Sequence, residues 1–240
     1  MNRVTLSFFL FFLSSCTNSS DKVIIAENIG RDPILGYVTR FEADDNKKYI
    51  LSFTPNNNIN KKEIYTGKYS IVQDTLYLDG DKRFNKAIFK HGYIEFFDLH
   101  WKLKLVKNLT SIDSDISLQH QSDFTFFTYN GDLIFKEGKS VDLNDQDIKQ
   151  VKSLIQKTIR AESKRFRNHS NENEYFKQGL SILNKRNEKE VWINCISKLN
   201  RYTDWQMRII KAYDGGDAYF NLKINLTTGK VYDISINGEA

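Results

Sequence analysis

Glu63-Ile64-Tyr65-Thr66-Gly67-Lys68-Tyr69-Ser70-Ile71-Val72, then Gln73-Asp74, then Thr75-Leu76-Tyr77-Leu78, reads as two strands around a short turn. β-Branched and aromatic residues dominate both runs, and Tyr69 and Ile71 fall on one face, as a half-buried pleated sheet requires. The same grammar extends in both directions. Leu35 to Glu42, Lys48 to Phe53, Ala87 to Lys90, Tyr93 to Phe97 and Lys102 to Val106 read as strands, and Trp101, Leu103 and Leu105 repeat the alternation. Asn56-Asn57-Asn58, Asp79-Gly80-Asp81 and His91-Gly92 punctuate them with turn residues. Seven short strands in one unit, residues 34–107, predict a small antiparallel barrel or curled sheet, which protects its edges.

The motifs Gly36-Tyr37, Thr66-Gly67-Lys68-Tyr69-Ser70-Ile71 and Asp74-Thr75-Leu76-Tyr77-Leu78 resemble the compact lipocalin-like domains of bacterial lipoproteins. That family closes eight longer strands where seven are read here. Residues 108–122 are polar with isolated apolar positions and are read as a linker. Beyond them, Phe124 to Tyr129 and Asp132 to Phe135 flank Asn130-Gly131, the signal of a type I′ hairpin. A helix is predicted from Asp145 to about Lys164: Asn144 and Asp147 have the spacing of a cap, and Ile148, Val151, Ile155 and Ile159 share one face.

The last stretch predicts a meander of strands, Tyr175 to Leu183, Glu190 to Ser197, Trp205 to Tyr213, Ala218 to Leu226 and Lys230 to Asn237. The fold class is therefore α+β, with a helix laid on a four- or five-stranded antiparallel sheet over residues 123–240. This layering is similar to cystatin-like and nuclear-transport-factor-like folds. Lys189-Glu190-Val191-Trp192-Ile193-Asn194-Cys195, Asp214-Gly215-Gly216-Asp217-Ala218-Tyr219-Phe220, Ile224-Asn225-Leu226 and Asn237-Gly238-Glu239-Ala240 resemble a group of Bacteroidota lipoproteins with no assigned activity, over roughly residues 173–240. The resemblance implies an envelope protein and the α+β sheet, and no catalytic residue.

The N-terminus carries an address. Arg3 precedes the apolar run Val4 to Leu13, and Leu13-Ser14-Ser15-Cys16 resembles the bacterial lipobox, which implies cleavage of residues 1–15 and a lipid on Cys16. The apolar run is half of the roughly 20 residues needed to span a bilayer. Residues 16–33 are then expected to form a tether, and the membrane is reached as a partner through acyl chains on Cys16. An outer-membrane location follows from the same resemblance.

The net charge of +5 falls to +4 when Arg3 is removed, and its lysines are scattered, so nucleic acid is not indicated. With Cys16 acylated, Cys195 stands alone and reads as a small buried hydrophobe in a strand. Asp214-Gly215-Gly216-Asp217 is a candidate cation loop or a turn; the alternate carboxylates of a calcium loop are missing, and glycines with aspartates suit a turn. The histidines have no zinc spacing, no nucleophile elbow or phosphate loop occurs, and no cofactor is indicated. Trp192, Trp205, Tyr213, Tyr219 and Phe220 either pack a core or line a concave binding face. The expected function is a lipid-anchored, non-enzymatic binding or assembly module for an envelope protein or a small apolar ligand. The alternatives are a hydrolase or isomerase with a cone-shaped pocket, and a cystatin-type protease inhibitor, whose Gln-x-Val-x-Gly loop is missing.

Overall fold

Short strands leave unpaired edges unless their sheet closes. The computed structural model describes residues 20–29, 37–58, 60–112, 123–131, 134–200, 202 and 204–238. In it β1 (Lys22–Ile29), β2 (Tyr37–Asp44), β3 (Lys48–Pro55), β4 (Glu63–Val72), β5 (Thr75–Leu78), β6 (Lys86–Lys90), β7 (Tyr93–Phe96) and β8 (Trp101–Asn108) pair antiparallel in sequence order. β8 returns to β1, with Glu27 opposite Lys104, and the barrel is closed.

The expected tether, residues 16–33, is corrected by this closure over Lys22–Ile29, which forms β1; residues 16–19 and 30–33 lie outside the described residues. Ile24 and Ala26 point into the barrel with no exposure, and β1 pairs on both sides. The run Val23-Ile24-Ile25 hides the alternation of a strand, because the residues between the inward positions are apolar too. Cys16, the leader and Gly36 lie outside the described residues.

Eight strands enclose a space just wide enough for side chains. Phe41, Leu51, Leu76, Ile94, Phe96 and Leu103 fill it. Trp101 stacks on Phe96 at 5.1 Å and on Phe53 at 5.5 Å near one end. Tyr49 and Tyr69 keep their hydroxyls satisfied on the carbonyls of Asp79 (2.7 Å) and Asp44 (2.8 Å).

The second half holds β9 (Phe124–Phe127), β10 (Lys139–Ser140), α1 (Asp145–Ala161), β11 (Tyr175–Leu183), β12 (Lys189–Ser197), β13 (Tyr219–Asn225) and β14 (Lys230–Ile236). β10 to β14 pair antiparallel in that order, and β9 pairs parallel to β11. α1 starts with the expected cap: the Asn144 side chain accepts from Asp147 N and the Asp147 carboxylate accepts from Asn144 N. Ile148, Val151, Ile155 and Ile159 bury against Val191, Ile193 and Leu222.

Two expected strands are corrected. Among the described residues Asn130-Gly131 closes no hairpin onto Phe124 to Phe127, Asp132 and Leu133 lying outside them, and β9 pairs with β11 instead; parallel neighbours need a crossover, and α1 supplies it. Trp205 to Tyr213 forms no strand. The segment crosses the sheet face opposite α1, and buried amides take its backbone groups instead of a ladder: Gln178 Nε2 donates to the carbonyls of Trp205 and Arg208, Gln178 Oε1 accepts from Ile210 N (2.8 Å), and Asn194 Nδ2 donates to Ile210 O (2.9 Å).

The barrel docks on that same face through the outer side of β7 and β8. Glu95 accepts from Thr128 N (2.6 Å) and Thr128 Oγ1 (3.0 Å), and Lys102 donates to Phe126 O. Lys102 N also donates to Met207 O at 2.7 Å. Both charged residues are buried, so the two halves meet over a desolvated contact.

Candidate functional site

Where the barrel meets the sheet, a cleft of about 680 Å³ remains open. Its floor is the outer face of β12 and β13, which presents Trp192, Asn194, Tyr219 and Asn221. Leu99 and His100, in the turn from β7 to β8, form one wall, and Ile209 to Tyr213 form another. Tyr213 (87% exposed) and Leu99 (46% exposed) stand open at the rim.

The register sets the floor. Asn194 lies directly across from Asn221, Trp192 is one same-face step along β12, and Tyr219 is one step along β13 towards the opposite end. Trp192 Nε1 donates to Asn221 Oδ1 at 3.4 Å. Asn194 gives its amide hydrogens to Gln178 Oε1 (3.1 Å) and Ile210 O (2.9 Å), and Asn237 gives its own to Ala212 O (2.8 Å) and Asp214 O (3.1 Å). The Tyr219 hydroxyl donates to Tyr202 at 3.1 Å, and burial first, with that contact, pushes its pKa up, so it stays neutral. Among the described residues the lining contains no carboxylate; Lys211 supplies a cation and His100 an imidazole.

The residues nominated from sequence separate here. Trp192 and Tyr219 come together in the cleft, and Tyr213 joins them at the rim. Trp205 lies beneath, stacked on Phe176 at 4.4 Å in a buried cluster. Asp214 offers only its backbone carbonyl to Asn237. Asp217 is buried, and its carboxylate accepts from Asn168 N (2.7 Å), Asn168 Nδ2 (3.1 Å) and His169 N (3.2 Å). It is a clamp on the loop after α1. Gly215 (φ 90°) and Gly216 (φ 55°) hold the left-handed turn before it. Among the described residues no three His, Cys, Asp or Glu gather to hold a metal.

One serine, histidine and aspartate do line up. His169 Nε2 is 2.8 Å from Ser197 Oγ, and His169 Nδ1 is 3.6 Å from Asp217 Oδ1. The second distance is too long for the hydrogen bond that orients a catalytic imidazole. Ser197 is 1% exposed and also accepts from Leu199 N, so no substrate reaches its oxygen. Nearby, the buried Lys177 ammonium pairs with Asp123 (2.8 Å) and Glu172 (2.5 Å), opposite Cys195, whose thiol pKa is pushed up by burial. These polar groups hold α1 and its flanking loops to the sheet.

The amides were missed in the sequence. Asn is depleted in strands, so Asn194 in the middle of apolar alternation was the available signal. No protein-family model, no curated protein and no solved structure matches the chain.

Proposed function

We propose that the chain is a lipid-anchored envelope protein that binds a ligand in the cleft between barrel and sheet and does not transform it. Cys16 is the lipid attachment point in this reading, the barrel is lipocalin-like, and the helix on its sheet is cystatin-like. The observation that carries the binding role is the cleft floor, where Trp192, Asn194, Tyr219 and Asn221 converge on one open face. Convergent polar groups beside aromatic surface are the ordinary make-up of a ligand site. The barrel interior is occupied by its own side chains, so a small molecule or an envelope protein would be met outside it, as at the cleft.

Turnover has less support. A hydrolase or isomerase needs a placed acid or base beside its substrate, and no Asp or Glu stands among the described residues that line the cleft. The test uses the full-length protein extracted in detergent from its own envelope fraction. Native mass spectrometry should show a bound mass that is lost in Asn221→Ala. A mass that converts to product during incubation refutes the non-enzymatic reading, and no bound mass refutes the cleft as a site. Replacing Cys16 with Ser should abolish palmitate labelling and release the protein from membranes; retention at high salt counts against the anchor.

A further inference from the structure

The hydrogen-bond roles left open on the cleft floor point to a chemical class. Asn194 has both amide hydrogens committed and presents its carbonyl oxygen. Asn221 accepts from Trp192 and presents its NH₂ group, and Asn237, again with its hydrogens committed, presents an acceptor. Fixed donors and fixed acceptors thus lie side by side across one strand spacing. A hydroxyl satisfies either, since it donates and accepts at once.

Aromatic surface flanks this polar centre at both ends. Trp192 and Tyr219 are four residues apart along the strand direction and one strand apart across it. Strand geometry puts their Cα atoms about 14 Å apart. A ligand that uses both rings is therefore longer than a single sugar ring, and needs apolar C–H faces at its ends with hydroxyls between them.

We propose that the cleft binds a short neutral oligosaccharide, with sugar faces against Trp192 and Tyr219 and adjacent hydroxyls shared between Asn194 and Asn221. This rests on the binding role proposed above and gives it a ligand class. A phosphorylated or strongly acidic ligand calls for clustered cations, and among the described lining residues Lys211 is the one lysine or arginine. A peptide strand takes its affinity from a free sheet edge, whereas β12 and β13 are interior strands with both neighbours in place. A purely apolar ligand would leave the buried amide oxygens without partners.

The experiment is a screen of the full-length, detergent-extracted protein against neutral oligosaccharides, acidic oligosaccharides and peptides, followed by titration of tryptophan fluorescence with the best neutral sugar. The expected result is saturable binding of neutral sugars longer than one ring. Asn221→Ala should weaken it at least about tenfold, the worth of one well-placed hydrogen bond lost from a partly desolvated site. Trp192→Leu, which keeps apolar bulk but removes the ring, should weaken it similarly, with melting temperature measured to show that both variants fold. No neutral sugar bound, preference for an acidic sugar or a peptide, or binding indifferent to both substitutions overturns the proposal. If the native mass measurement finds a cleft-dependent ligand that is not a sugar, the ligand class falls and the binding role stands; if it finds none, both fall.

Discussion

Lys102 projects outward from the barrel and is nevertheless 4% exposed, because β9 closes over it. Its ammonium lies 4.3 Å from the Phe127 ring centroid and donates to Phe126 O, with Glu95 opposite it in the β7–β8 register. Burial, opposed by Glu95, lowers its pKa from 10.5 to about 8. Above about pH 8 the native chain gives up this proton while the unfolded chain keeps it up to about pH 10.5. Stability therefore rises with pH across that window, and the cost of the buried charge is fully present below it. The linkage relation gives a gain of about 1.3 kcal/mol between pH 7 and pH 9. Lys102→Met keeps an unbranched apolar stem and removes the titrating group, while Glu95 retains its two donors from Thr128. Urea unfolding followed by tryptophan fluorescence at pH 7, 8 and 9 should show the gain in the wild type and lose it in the variant. Equal pH slopes in the two proteins refute the argument, and with it the desolvated contact between barrel and sheet.

Three further outcomes follow from the geometry. Asp217→Asn should destabilise by about 2 kcal/mol, since a buried, charge-assisted acceptor of three bonds is weakened, whereas Asp214→Asn should stay within about 0.5 kcal/mol, as exposed substitutions do; thermal melts of both separate clamp from turn. Burial raises the Asp217 pKa, but the bonds from Asn168 and His169 outweigh it and hold the carboxyl below its ordinary value, so its contribution is present above about pH 4 and is lost as acidification protonates it. Gly179→Ala should cost about 1 to 3 kcal/mol by overpacking, because a Cβ there would lie 2.4 Å from the Phe126 ring; an unchanged urea midpoint would contradict it. Protease nicking within residues 108–122 should leave the two pieces associated on gel filtration until urea is added, held by the Glu95–Thr128 and Lys102–Phe126 contacts; free separation in buffer would show that these contacts do not hold the halves together.

Period and punctuation carried most of the fold. Asn144 and Asp147 with the isoleucine face of α1 were readable because a capped amphipathic helix is a local object. β1 was not, since Val23-Ile24-Ile25 shows no alternation and its partners are β2 and β8, the latter far away in the chain. Asn130-Gly131 misled for the opposite reason: its local signal is strong, but β11 offered β9 a longer-range pairing. Of the candidate site, Trp192 and Tyr219 were visible as aromatics on neighbouring strands. Asn194 and Asn237 were not, because an amide becomes informative only when its partners are known, and theirs include Ile210, Ala212 and Asp214 in the irregular segment after Trp205.

The start of β1 sets a leash. With a lipid on Cys16, only the residues up to Lys22 separate the membrane from the barrel, a reach of at most about 20 Å. That end of the barrel carries Lys22, Lys48 and Lys68 around its mouth. β8 runs antiparallel to β1, so Leu99 and His100, before its first residue, lie at the other end, some 25 Å further along the strand. If Cys16 carries the proposed lipid, the barrel would stand between bilayer and cleft, with these lysines at its anchored end.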